Sequence, residues 1–329
     1  MKQEELIEKL REREMISEEQ LGDVKKYRAL GIFSLHNELL FLLYLSVLLF
    51  TTGVGTLIYK NIDTIGHSII LAILFLVTVV CFYFSFKKAK GFSPEDVDFE
   101  NPVYNYLVLA GTILSCIFIG YLQFQYQIFG SNYSLATLFS ALLSFGVAYY
   151  FNNKSALSIA ITGLATTIGI SLTPKDILEN DIYSNPILSY YGIALGVLLI
   201  VWAKYSDKIN LKKHFGFIFL TFALHLISLC CLSQLMDDYW FLFVIVMAAS
   251  TYYFYKISHE INAISIFTFT LLYGYIGFNI SMFKLFDLID LNFFGDFVII
   301  IFPIYIIGSI VLFIKLMKQF NKKTNDSSK

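Results

Sequence analysis

The chain alternates between long apolar blocks and short polar segments. Ten blocks stand out, at 39–58, 67–86, 106–128, 133–150, 156–172, 188–203, 215–232, 240–255, 261–281 and 297–316. A helix needs about 20 mostly apolar residues to cross about 30 Å of hydrocarbon, and these blocks have that length. Strands crossing a bilayer must close into a barrel, and barrel strands alternate apolar with polar positions. The blocks do not alternate, so the pattern predicts helices. The expected fold is all-α: a polytopic transmembrane helical bundle of about ten spans. Three regions follow: a cytoplasmic helical hairpin over 1–35, a transmembrane domain over 36–318 and a disordered cytoplasmic tail over 319–329.

Composition strengthens this picture. Of 329 residues, 57% are hydrophobic and 15% charged, against about 45–50% and about 25% in soluble domains. The first 35 residues are too charged for a signal peptide, so the first apolar block reads as a retained span. Cys81, Cys116, Cys230 and Cys231 all fall inside apolar blocks and lack zinc-ligand or disulfide-framework spacing. They read as small packing residues.

Charge sets the expected orientation. With the N-terminus inside, all but three of the 24 lysines and arginines fall in cytoplasmic segments; the exceptions are Lys60, Lys175 and Lys284. Basic residues accumulate on the cytoplasmic side, so both termini are expected in the cytoplasm. The split also checks the span count, because omitting one middle helix would move the later clusters, Lys204/Lys208/Lys212/Lys213 and Lys315/Lys318/Lys322/Lys323, to the other side. The outer loops hold acidic residues such as Asp63, Asp181 and Asp237. Tyr149, Tyr150, Tyr190, Tyr191, Tyr239 and Trp240 sit at block ends, where amphipathic rings anchor in the headgroup zone.

The N-terminal 30 residues read as two short helices. Leu6 and Leu10 share a face in the first. Ser17-Glu18-Glu19-Gln20 opens the second with a capping box and two acids in its first turn. Helices this short are marginal alone, so they are expected to pack on each other, on the membrane face or on a protein partner. The mixed charge of this segment argues against a dedicated anionic-lipid anchor.

This arrangement resembles a widespread family of bacterial membrane proteins of unknown function. There, a pair of short cytoplasmic helices with a turn like Met15-Ile16-Ser17-Glu18-Glu19-Gln20 precedes a first span with glycines, here Gly53 and Gly55, and then an Asn, here Asn61. Ile62 stands where the family usually carries Trp. The resemblance covers about the first 65 residues and implies a multispan bacterial membrane protein, expected in the cytoplasmic (inner) membrane. It implies no activity. The preference for lysine over arginine, with only Arg11, Arg13 and Arg28, is compatible with an AT-rich bacterial genome.

Ionisable groups inside a membrane are functional candidates by default. His225 is the one nearest the middle of a block, and Thr221 and Ser228 share its helical face. Two readings stand: a proton-relay or substrate-binding histidine in a polar cavity, or a neutral histidine bonded to a neighbouring helix. Gln123 and Gln127, four apart near the outer end of the third block, are a second candidate pair. Gly192 and Gly196 form a small-xxx-small face. Ser158, Thr162 and Thr166 are expected to serve close packing in the same way.

Several function classes are excluded. There is no phosphate-binding glycine loop, no metal-spaced His/Asp/Glu cluster, no Ser or Cys nucleophile placed beside a His and no basic stripe with interleaved aromatics for nucleic acid. No cofactor and no catalytic residue is expected. Beyond the lipid bilayer, the partner to expect is a protein on the N-terminal hairpin. The remaining alternatives are a transporter or facilitator of small solutes or lipid-like molecules, a membrane scaffold or sensor and, last, an intramembrane enzyme acting on lipid, which would need a second polar residue at the depth of His225. The oligomeric state stays open.

Overall fold

In the computed structural model, residues 36–172, 186–237, 239–288 and 295–327 are described. The N-terminal helix pair expected over 1–35 lies outside them. Among the described residues there are ten helices and no strand. They are α1 (His36–Ile65), α2 (His67–Lys88), α3 (Val103–Tyr126), α4 (Tyr133–Phe151), α5 (Lys154–Leu172), α6 (Pro186–Lys208), α7 (Gly216–Gln234), α8 (Trp240–Glu260), α9 (Ile264–Leu288) and α10 (Gly295–Ser327). A 3-10 turn, Lys213–Phe215, leads into α7. All ten helices are long and apolar enough to cross a membrane, matching the expected blocks one for one. The protein is a multi-pass membrane protein.

The chain divides into two compact units, one of Leu43–Val298 and one of Met1–Leu42 with Ile299–Lys329. In the larger unit α7 is the central helix, touching α5, α6, α8 and α9. Its buried residues include Phe219, Ala223, Leu224, Ile227, Ser228 and Cys231. At that spacing they fall within one half of the helix circumference, a broad buried face. A smaller cluster joins Ile70, Leu74 and Cys81 of α2 to Ala110 and Leu114 of α3, with Val47 and Val54 of α1 packed on it. The buried positions of α2 fall at 70, 71, 74, 78, 81 and 85, a single face at helical spacing.

Small residues set several of the closest helix approaches, where transmembrane packing relies on shape because lipid removes the hydrophobic drive. A Cβ on Gly196 would lie 2.5 Å from Ile227 Cγ1, and one on Gly192 would collide with Cys230 Sγ. The expected small-xxx-small face of α6 therefore meets α7. Gly163 of α5 meets Ala141 of α4, where a Cβ would lie 3.0 Å from that of Ala141. Cys230 and Cys231 point apart, one toward Gly192 and the other into the core.

In the smaller unit, α10 stays helical through Ser327, past the apolar block that ends at residue 316 and into the segment expected as a disordered tail from 319. A span already nucleates that helix, and Lys315, Lys318, Gln319, Lys322 and Lys323 are good helix formers that carry it on past the apolar block. Phe320 is buried while Lys315, Lys318 and Lys322 are exposed.

Candidate functional site

Three polar features of the larger unit bear on function. The first lies where the α2–α3 connection, 89–102, meets the ends of α4, α5 and α7. Helix α4 ends at Asn152, which adopts the left-handed conformation with φ 58° and returns its N–H to Ala148 O. Asn tolerates that conformation better than most residues. The Asn152 amide donates to Glu95 O at 2.9 Å and to Val97 O at 3.2 Å, and its Oδ1 accepts from the Lys212 ammonium. Asn153 caps α5 by accepting from Ala156 N at 2.8 Å and donates to Asn105 O at 3.0 Å.

Lys212 is fully buried. Its backbone N–H donates to Pro94 O at 2.8 Å, and its ammonium lies 4.9 Å from the centre of the Phe92 ring. Burial pushes its pKa below the ordinary lysine value, and nearby Asp96 pushes back. Asp96 pairs with Lys154 at 3.1 Å and approaches His214 Nε2 at 3.6 Å. The loop is thereby latched through its backbone carbonyls, with an exposed carboxylate pair beside them. Lysines elsewhere at this end are solvated, whereas Lys212 serves as an internal strut. Sequence reading took it for one of four loop cations. The available signal was the Asn152-Asn153 pair directly after an aromatic helix end, a turn signature.

The second feature is His225. Its Nδ1 lies 2.8 Å from the Tyr273 hydroxyl of α9, and its ring meets Phe269 edge-on at 4.8 Å. The Tyr273 partner, 48 positions away, carries no mark in the sequence. Thr221 donates to Phe217 O of its own helix at 2.8 Å, and Ser228 is buried. The other sequence candidates lie apart from these, on α3. Gln123 is buried and commits both amide atoms to the turn after α3: Nε2 donates to Gly130 O at 2.7 Å and Oε1 accepts from Phe129 N at 2.9 Å. Gln127 leaves the helix in the left-handed conformation, with φ 47°. The two glutamines organise a turn and do not line a common cavity wall.

The third feature is a cleft of about 530 Å³ walled by α1, α3, α4 and α5, within the range of about 300–1,000 Å³ common for ligand pockets. Leu109, Ala136 and Ala141 form a buried floor, while Tyr44, Leu48, Thr162 and Thr166 stand exposed at its margin. Ser158, Thr162 and Thr166, which the sequence suggests for close packing, instead line this cleft. The close α4–α5 approach falls to Gly163, on an adjoining strip of the helix. Each of the three hydroxyls donates one turn back, to Lys154 O at 3.2 Å, Ser158 O at 2.9 Å and Thr162 O at 2.9 Å. Their lone pairs stay available to accept. The cleft is therefore mostly apolar, with one ladder of weak polar contacts. Among the described residues no group of His, Cys, Asp or Glu has the arrangement of a metal site.

Much of the latch and three of the four cleft-wall helices lie in the first half of the chain, and comparison with known proteins points to the same half. Residues 8–157 match the family model "Predicted membrane protein (DUF2157)". The resemblance read from the N-terminal residues is thus met, and it extends through α4 to the first turn of α5. Asp96, Asn152, Lys154 and Ser155 fall inside the DUF2157 match, whereas Lys212, His225 and Tyr273 fall outside it. The family is one of unknown function. No curated protein and no solved structure matches the chain.

Proposed function

We propose that this protein is an uncoupled facilitator for lipid-like molecules, which it holds in the cleft between α1, α3, α4 and α5. The observation that carries the reading is the cleft itself: about 530 Å³, apolar in the main, with hydroxyls on one wall and its margin exposed along helices that cross the membrane. A small hydrophilic solute would need more polar groups than this ladder presents. Coupling to protons or sodium uses ionisable groups at mid-membrane, and His225 is already engaged with Tyr273. The placement we propose is a bacterial inner membrane with both termini in the cytoplasm, supported by the lysine distribution.

Transbilayer movement of a short-chain fluorescent phospholipid in proteoliposomes tests this reading. The expected result is movement faster than in protein-free vesicles, insensitive to proton or sodium gradients and returned to the protein-free rate by Thr162→Trp, which fills the cleft from its margin. Equal rates with and without protein would sink it. The scaffold alternative would then be pursued by asking whether deletion of residues 1–30 releases a cytoplasmic partner.

A further inference from the structure

The residues lining the cleft are uncharged, but its Ser155 end follows directly on Lys154 in the chain. Its wall on α5 runs from Ser155 to Thr166, about 16 Å at about 1.5 Å per residue. That is about half of the roughly 30 Å hydrocarbon layer, one leaflet. The Ser155 end adjoins the first turn of α5 and the latched loop. Immediately before it stands Lys154, with its side chain half exposed and paired to a somewhat less accessible Asp96. Such exposed pairs are weak and exchange partners readily. The N-terminal amides of α5 add partial positive charge at the same level. At the far end the walls are Gly120, Thr137 and Thr166, which carry no charge.

We infer that the cleft holds one acyl chain of an anionic phospholipid drawn from the leaflet at the Lys154 end, with the phosphate headgroup taking the Lys154 ammonium in place of Asp96. This rests on the facilitator reading and specifies the ligand of the same cleft. Cleft length selects a chain that reaches from the headgroup level to mid-membrane. Charge at one end sets the chain's direction. The hydroxyl ladder lets the chain slide, because its donors are satisfied within α5.

Photo-crosslinking in vesicles tests the inference. The full chain is placed in phosphatidylcholine vesicles containing a trace of either phosphatidylglycerol or phosphatidylcholine with a diazirine in the acyl chain, and labelled peptides are mapped. Phosphatidylglycerol should label cleft-facing residues of α3, α4 and α5 several-fold more than phosphatidylcholine. Lys154→Gln should abolish that preference, and Lys154→Arg should keep it. Thr162→Trp should remove cleft labelling by either lipid. Asp96→Asn frees Lys154 without removing it and should raise the preference, which keeps the test decisive if Lys154→Gln does not fold. Equal cleft labelling by both lipids would overturn the headgroup assignment and leave the cleft reading standing. A preference unchanged in both Lys154→Gln and Asp96→Asn would do the same. Absence of cleft labelling by either lipid would overturn both.

Discussion

The ammonium of Lys212 donates to Oδ1 of Asn152, 60 positions earlier in the chain, and both residues stand in the left-handed conformation, with φ 53° and 58°. Asn152 also holds the backbone carbonyls of Glu95 and Val97, so one amide joins three separate segments. The expected consequence is an asymmetry between the two partners. Asn152→Ala strands a buried ammonium and should cost about 3 kcal/mol or more. Lys212→Met removes the charge while keeping the volume and should cost less. The double variant should be more stable than Asn152→Ala alone. Thermal unfolding in detergent measures all three, and simple additivity of the two losses would contradict the strut.

Glycine positions divide by what surrounds them. Gly196→Ala drives a methyl into Ile227 and toward Ala223 O, 3.3 Å away, and should destabilise by about 1–3 kcal/mol. Gly53 has nothing within 4 Å of an added Cβ, so Gly53→Ala should be neutral or slightly stabilising through helix propensity. Gly192→Ala collides with Cys230 Sγ, and Cys230→Ala should recover part of its loss. A failure of that rescue would show that Cys230 is not the obstacle.

His225 and Tyr273 should behave as a pair. His225→Leu and Tyr273→Phe each remove the same hydrogen bond, so the double variant should lose less than the sum of the two, with a coupling of about 1 kcal/mol. Full additivity in a double-mutant cycle would show that the bond contributes nothing. Lipid movement unaffected by either change is the expected functional outcome, because neither residue lines the cleft.

Orientation is open to direct measurement. Reporter fusions after Lys90 and after Lys213 should report the cytoplasm, and one after Asp181 should report the opposite side. Reversal of any of the three would break the ten-span arrangement with both ends inside.

Helix existence and number were legible because they depend on a property summed over about 20 neighbouring residues, and such sums survive local exceptions. Even the shorter blocks, such as 133–150 and 156–172, became full helices of 19 residues each. Side-chain roles were less legible. Gln123 and Gln127 share helical spacing, yet the helix stops between them and the first turns inward to hold the chain reversal. The serine and threonine ladder of α5 looks like a packing face in sequence, but the adjacent Gly163 takes that role.

What the amino-acid order determined by itself was the set of crossings, the bias of lysine to one side and the positions where small residues permit close approach. These follow from local hydropathy, local charge and side-chain size. Only the tertiary structure decided that Lys212 is buried against Asn152 and not solvated with Lys213, that His225 meets Tyr273, and that α1, α3, α4 and α5 leave a cleft between them. Those outcomes depend on which helix faces meet. In a membrane the apolar pattern surrounds each helix and does not point to a partner, so shape and a few hydrogen bonds between distant residues make the choice.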